Sequence, residues 1–118
     1  MKLPKYLKIR TRRLNRRRYH YEGAYVLCWL QQALRGTDNP IIDAAVSLGN
    51  EFGVPVLVYH GIDNGYPPAS LRFHRFMLEA SQSLEADCRR RRLRFGRYVR
   101  RKSHLKPGLV YQLAEDAV

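Results

Sequence analysis

The stretch that decides the fold is residues 24–39, AYVLCWLQQALRGTDN. Its apolar run, residues 25–30, is rich in strand-forming side chains and too short to cross a membrane. A polar loop follows, and Asn39-Pro40 is a typical helix start, with a capping side chain before a proline in the first turn. Strand, loop and helix in this order predict the first half of a βαβ unit. The ligand crevice of an open parallel sheet lies at the carboxyl ends of its strands, so we expect function in this loop and its neighbours.

The rest of the chain continues the same pattern. Residues 40–52 carry the wide apolar face of a helix that covers a sheet, and Gly53 ends this helix. Residues 54–59 predict a second, buried parallel strand, and residues 60–68 a turn-rich loop. We expect a long helix over residues 69–91, a third strand near a sheet edge over 93–99, and a short helix over 109–117. The predicted fold class is therefore α/β, a Rossmann-like open parallel sheet with flanking helices. The order is βαβαβα and incomplete, because residues 116–118 look like the approach to another strand.

The long helix carries an apolar stripe that we expect to be core. Its members recur at helical spacing: Phe73, Phe76, Met77, Ala80, Leu84 and Cys88. On this basis Phe76→Ala should cost about 3–5 kcal/mol of stability, as the truncation of a buried aromatic side chain. By the same spacing Ser81 should face solvent.

The chain has a net charge of +12 over 118 residues, and two patches hold most of the basic side chains. One lies in residues 1–23, which have no helix or strand period and are predicted to form an extended basic arm before the domain of residues 24–118. The other lies between Arg89 and Lys102. Such patches favour contact with nucleic acid, the alternative being a solvated arm and a charged helix end. The residues expected to contact nucleic acid are Arg16, Arg17, Arg18, Arg90, Arg91, Arg92, Arg100 and Arg101.

The sequence lacks the residue patterns that several kinds of chemistry require. There is no glycine-rich phosphate loop after the first strand, no nucleophile elbow and no acid/base pair, so we expect no catalytic residue. The four histidines have no partners at metal-ligand spacing, and we expect no metal site. Cys28 and Cys88 are expected as reduced core residues. The N-terminus lacks the apolar segment of a secretory signal and no segment could span a membrane, so we expect a cytoplasmic protein without a membrane partner.

What remains is a binding crevice at the strand ends. Trp29, Tyr59 and Tyr66 could stack on a planar ligand, with Gln31, Arg35 and Asn39 as hydrogen-bond donors. The alternative is that Trp29 packs under the following helix and that Arg35 only pairs with Asp38. The candidate ligand-binding residues are Trp29, Gln31, Arg35, Asn39, His60, Gly61 and Tyr66.

An ordered set of motifs resembles the class II cyclobutane-pyrimidine-dimer photolyases. Residues 27–31, LCWLQ, with Arg35 and Asn39, resemble that family's V-L-Y-W-M-Q followed by Q-R, an acidic residue and N. Residues 66–80 look like its Y-P-x-A-x-x-R-H-x-x-F-M-L-E-G, with Ala80 in place of the glycine, and residues 12–15, RRLN, are similar to the R-x-L-N of its leading arm. The chain departs from the pattern where Leu34 replaces a glutamine and Phe73 a histidine.

The resemblance implies the N-terminal α/β domain of a photolyase. In that family the domain packs on a helical FAD domain and can hold an antenna pigment such as a deazaflavin or a folate. The flavin and lesion pockets belong to the C-terminal domain, so the resemblance implies that this chain does not repair DNA by itself and that FAD and DNA are bound by a longer protein. The alternative function is that of a free-standing basic α/β domain that binds nucleic acid non-specifically.

Overall fold

The structure, a computed structural model, describes residues 2–63, 70–100 and 108–118. Three parallel strands form one sheet in the order β1-β2-β3, which confirms the predicted α/β class with an open parallel sheet. The third strand lies at the edge of this sheet, also as predicted. The elements are α1 (Lys5–Lys8), β1 (Val26–Leu30), α2 (Pro40–Phe52), β2 (Val56–Asp63), α3 (Leu71–Arg90), β3 (Arg94–Arg100) and α4 (Leu109–Glu115).

Helix α2 begins and ends as its sequence indicates. The Asn39 side-chain oxygen accepts a hydrogen bond from the Ile41 amide at 3.1 Å, and Pro40 occupies the first turn. Gly53 adopts φ of 69° and donates its amide to the Gly49 carbonyl, a left-handed C-terminal cap that glycine adopts without strain. Local chemistry therefore fixes both ends of this helix.

One face of the sheet carries the core. Side chains from alternate strand positions, such as Leu30 and Val58, pack against Ile42 of α2 and against Leu84 and Cys88 of α3. Helices α2 and α3 therefore cover the same face. Both cysteines are free and buried, as expected, and burial raises the pKa of the Cys28 thiol to about 12, with the neighbouring Cys88 adding to the rise.

The apolar stripe of α3 is core only in its C-terminal half. Leu84 and Cys88 are fully buried, whereas Phe76 is 66% exposed and Phe73 is 42% exposed. The expectation that Phe76 is a core residue is wrong, and the large stability loss expected from its truncation loses its basis. Ser81 is fully buried rather than solvent-facing. Helical spacing defines a face of the helix, but the extent of the sheet determines which part of that face is covered.

Strand β2 and the N-terminal arm also differ from the structure that their sequence predicts. Strand β2 continues through Asp63, so that His60 and Gly61 are strand residues rather than loop residues. The reason is that β2 is the central strand, and its register partners on β3 continue to Asp63↔Arg100. The N-terminal arm is not wholly extended, because α1 forms one helical turn and buries Leu7.

The last residues lie beside the beginning of β1. Tyr25 and Ala117 form a parallel bridge, and the Val118 amide donates to the Tyr25 carbonyl at 3.0 Å. This approach requires a glycine at position 23, since a Cβ there would lie 2.5 Å from the Val118 nitrogen. The chain thus comes alongside β1 on the edge away from β2, as the sequence indicates for residues 116–118.

Candidate functional site

The carboxyl ends of the strands form a cavity of about 350 Å³ on the sheet face opposite α2 and α3, which we call the aromatic slot. Trp29 and Tyr59 are register partners on β1 and β2, and Tyr98 lies on β3 opposite Gly61. Helix α4 contributes Tyr111 to the lining of the slot. The slot therefore has aromatic rings from three strands and one helix, and its size falls within the range of small-molecule sites.

A glycine makes room for the central ring of this slot, because a Cβ at Gly61 would lie 3.0 Å from the Tyr59 hydroxyl. Burial raises the pKa of Tyr59, and Tyr98 adds to the rise, so the Tyr59 hydroxyl stays protonated at neutral pH and can donate a hydrogen bond. At one end of the slot, Arg100 forms an ion pair with Asp63 at 3.2 Å. The slot thus offers flat apolar walls with a hydroxyl donor and a guanidinium.

A second, more apolar cavity of about 740 Å³ lies between the β1–α2 loop and the N-terminal half of α3, and we call it the α3 groove. Phe73, Phe76 and Met77 form one wall, and Leu34 and Ile62 contribute from the other elements. The exposed aromatic rings of α3 therefore border a cavity instead of packing on the sheet.

The β1–α2 loop is held to the end of α3 at Gly36. The Gly36 amide donates to the Asp87 carboxylate at 2.9 Å, and the Arg91 guanidinium donates to the Gly36 carbonyl. Arg91 also forms an ion pair with Asp43 of α2 at 3.2 Å. A side chain at position 36 has no room, since a Cβ would lie 2.2 Å from the Asp87 Cβ. We call this arrangement the Gly36 clamp.

Asn39 holds the same loop from inside. It is 1% exposed, and its amide nitrogen donates to the carbonyls of Ala33 and Arg35 at 3.0 and 2.9 Å. Together with the cap to Ile41, these bonds use both hydrogens and the oxygen of its side chain. Arg35 donates twice to the Asp38 carbonyl, at 3.2 and 3.0 Å, so the pairing considered from the sequence is made with the backbone of Asp38.

His60 belongs to a buried polar chain beneath the other face of the sheet. It is fully buried, and its Nδ1 lies 3.1 Å from the Ser81 Oγ. Arg97 donates to the same Oγ at 2.7 Å and to the Glu85 carboxylate at 2.9 Å. Burial lowers the pKa of His60, and the Arg97 charge lowers it further, which keeps the ring neutral in the folded protein.

We expect the free energy of unfolding to decrease as the pH is lowered, because of His60. Below about pH 6.5 the unfolded chain binds a proton at His60, whereas the folded chain does not until the pH reaches its lowered pKa. The contribution of His60 to stability is therefore fully present above about pH 6.5 and declines between that pH and the lowered pKa. The slope from this group is at most about 1.4 kcal/mol per pH unit. Denaturant unfolding between pH 7 and 5 should show a steeper decline for the native chain than for His60→Gln. Equal slopes would contradict a neutral, buried His60.

The structure brings some of the predicted ligand-binding residues together. Trp29, Gln31 and Gly61 line the aromatic slot, and Trp29 is 45% exposed there rather than packed under α2. Arg35 and Asn39 line a different cavity, beside the N-terminal arm. Tyr66 lies outside the described residues. The sequence did not indicate Tyr98 or Tyr111 as site residues. Tyr98 lies two residues after Gly96 in β3, so the alternation of side chains along a strand places both on the same face of the sheet.

The two basic patches differ in their partners. In the second patch Arg90, Arg91 and Arg100 form ion pairs with Asp87, Asp43 and Asp63. Among the described residues, the arginines at positions 16–18 form no ion pair. Arg92 is exposed with φ of 56°, and Arg101 lies outside the described residues.

The described ranges offer neither a metal-ligand cluster nor a membrane-spanning helix. Across residues 2–63, 70–100 and 108–118, no group of three or more His, Cys, Asp or Glu side chains is placed to hold a metal ion. The helices in these ranges are too short or too polar to cross a membrane.

Comparison of the sequence with known proteins relates this chain to a photolyase. The chain is similar to a deoxyribodipyrimidine photo-lyase of Methanothermobacter thermautotrophicus, with 29% identity over 108 residues. The match covers 92% of this chain and 23% of that protein, so the chain spans about a quarter of the length of the relative. No family model matches the chain.

Proposed function

We propose that this chain is the N-terminal antenna and scaffold domain of a light-driven DNA-repair flavoenzyme, a class II cyclobutane-pyrimidine-dimer photolyase. The similarity to the archaeal photolyase over 92% of the chain carries the proposal. The domain is not catalytic by itself. Its partners are the remaining, FAD-binding part of a longer protein and, through that protein, DNA.

The aromatic slot is the proposed antenna site. Its exposed Trp29 ring gives a planar pigment a stacking surface, and the protonated Tyr59 hydroxyl and the Arg100 guanidinium give it polar contacts at the slot wall. A deazaflavin or folate bound there would absorb near-ultraviolet or blue light for transfer to the flavin. The residues of this chain bind the pigment, orient its ring and exclude water from one of its faces.

Pigment titration tests the proposal. We expect the chain to bind a deazaflavin or a folate, and Trp29→Ala to weaken the binding about tenfold, because aromatic stacking on a planar ring contributes about 1–3 kcal/mol. The measurement is the change in pigment fluorescence. Tyr6→Ala is the matched control, since Tyr6 is also exposed but lies on α1, outside the slot. No binding of either pigment, or equal binding by Trp29→Ala and the native chain, would contradict a pigment in this slot.

The second candidate function, contact with nucleic acid, is favoured by the arginines of the arm. Those of the second patch are largely neutralised by carboxylates of the same domain, whereas those at positions 16–18 are exposed and form no ion pair with another described residue. Charge that is not neutralised is what attracts phosphates. This function therefore falls on the arm rather than on the end of α3.

A further inference from the structure

The N-terminal arm and the β1–α2 loop enclose a cavity of about 690 Å³ that we call the arm cavity. Leu7 of α1, 2% exposed, anchors the arm to the domain. The Thr11 hydroxyl donates to the Leu7 carbonyl at 2.8 Å and turns the chain after this helix. The arm then passes beside the beginning of α2, where Leu14 and Ile41 form apolar walls.

Three arginines are among the residues that line the arm cavity. Arg10 and Arg12 come from the arm, and Arg35 comes from the β1–α2 loop. Among the described residues that line the cavity, none carries a carboxylate. Asp43, the acidic residue in the first turn of α2, is occupied by its ion pair with Arg91. The cavity therefore concentrates positive charge that the domain does not neutralise.

The geometry of the arginines favours an anion. Arg35 uses its Nε and Nη2 for the Asp38 carbonyl, which fixes the guanidinium plane and leaves Nη1 without a partner among the described residues. In the same described region Arg10 and Arg12 form neither an ion pair nor a side-chain hydrogen bond. Guanidinium groups bind phosphate oxygens with paired hydrogen bonds, and the positive end of the 13-residue helix α2 adds to the field.

The RRLN motif of residues 12–15 gains a role in this arrangement. Arg13 donates to the carbonyls of Asn15 and Arg17, and the Asn15 side-chain oxygen accepts from the Arg17 amide at 2.9 Å. These bonds form a local turn, while the alternate residues Arg12 and Leu14 line the cavity. The motif thus supplies one positive and one apolar side chain to the same site.

We propose that the arm cavity binds a phosphate-bearing ligand. The three guanidinium groups take the phosphate, and the walls of Leu14 and Ile41 cover an attached sugar or base. The phosphate belongs either to a nucleic acid backbone or to a free nucleotide. The site is separate from the aromatic slot and does not depend on a pigment being bound.

Calorimetric titration with inorganic pyrophosphate at low salt tests the site. We expect the double variant Arg10→Gln/Arg12→Gln to bind pyrophosphate at least tenfold more weakly than the native chain. The matched control is Lys5→Gln/Lys8→Gln, which removes the same charge from exposed positions of α1 outside the cavity and should change the affinity less than twofold. An equal loss in both double variants, or no binding by the native chain, would overturn the proposal.

A second variant leaves the arginines in place. Ala44→Glu adds a carboxylate to the cavity wall from α2 and should also weaken pyrophosphate binding at least tenfold, with thermal melting to verify the fold. Unchanged affinity in a folded Ala44→Glu chain would overturn the proposal.

A short single-stranded DNA distinguishes the two sources of phosphate. Binding of the DNA that is tighter than that of pyrophosphate, and lost with Arg10→Gln/Arg12→Gln, supports a nucleic acid backbone. If pyrophosphate binds and its binding is lost with Arg10→Gln/Arg12→Gln, but the DNA does not bind, the ligand is a free phosphorylated molecule.

Discussion

Leu84→Ala is expected to lower the free energy of unfolding by about 2–5 kcal/mol, because it removes a fully buried side chain between α3 and the sheet. Leu84 packs in the cluster that also contains Ile42 of α2 and Val58 of β2, so a cavity at this position weakens the contact of both helices with the central strand. Urea unfolding of the native chain and the variant measures the difference.

The matched control on the same helix is Phe76→Ala. Phe76 is 66% exposed, so its truncation should cost less than about 1 kcal/mol even though the ring is larger than the leucine side chain. A greater loss at Phe76 than at Leu84 would show that the N-terminal half of α3 is covered in solution, contrary to the structure.

Gly36→Ala is expected to cost about 1–3 kcal/mol, because the new Cβ collides with the Asp87 Cβ and forces the β1–α2 loop away from α3. The movement also breaks the two hydrogen bonds of the Gly36 clamp, from the Gly36 amide to Asp87 and from Arg91 to the Gly36 carbonyl. Thermal unfolding measures the loss, and faster amide exchange over residues 31–38 reports the opening of the loop.

Gly96→Ala is the control for the clamp. A Cβ at Gly96 meets side-chain atoms of Leu57 and Tyr59 only at 3.9 Å, an ordinary contact distance, so this variant should melt close to the native chain. Equal effects of the two substitutions would mean that any glycine replacement destabilises the sheet, and that the clamp has no special role.

The sequence predicts the parts of the fold that local chemistry determines. Asn39 and Gly53 delimit α2 by hydrogen bonds within a few residues, and the apolar run before residue 31 is a strand whatever lies beside it. The length of β2 depends on its neighbours. The pairing of His60 with Leu30 and Arg97 makes the strand continue where turn-forming residues indicate a loop.

The sequence likewise indicates only part of the lining of the aromatic slot, because the rest comes from elements that are distant in the chain. Trp29 and Gln31 follow from the rule that ligands bind at the carboxyl ends of parallel strands. Tyr98 and Tyr111 come from β3 and α4, and no spacing in the sequence relates them to Trp29. The burial of Ser81 depends on its contact with His60 across the core, which helical periodicity does not contain.

The bridge between Tyr25 and Ala117 bears on how the sheet can be extended. Past that bridge, the described residues place no strand along the edge of β1 that faces away from β2. The outward N–H and C=O groups of this apolar strand are an edge on which other extended chains can pair. This edge of β1, like the outer edge of β3, is therefore a place where a further extended segment can add to the sheet.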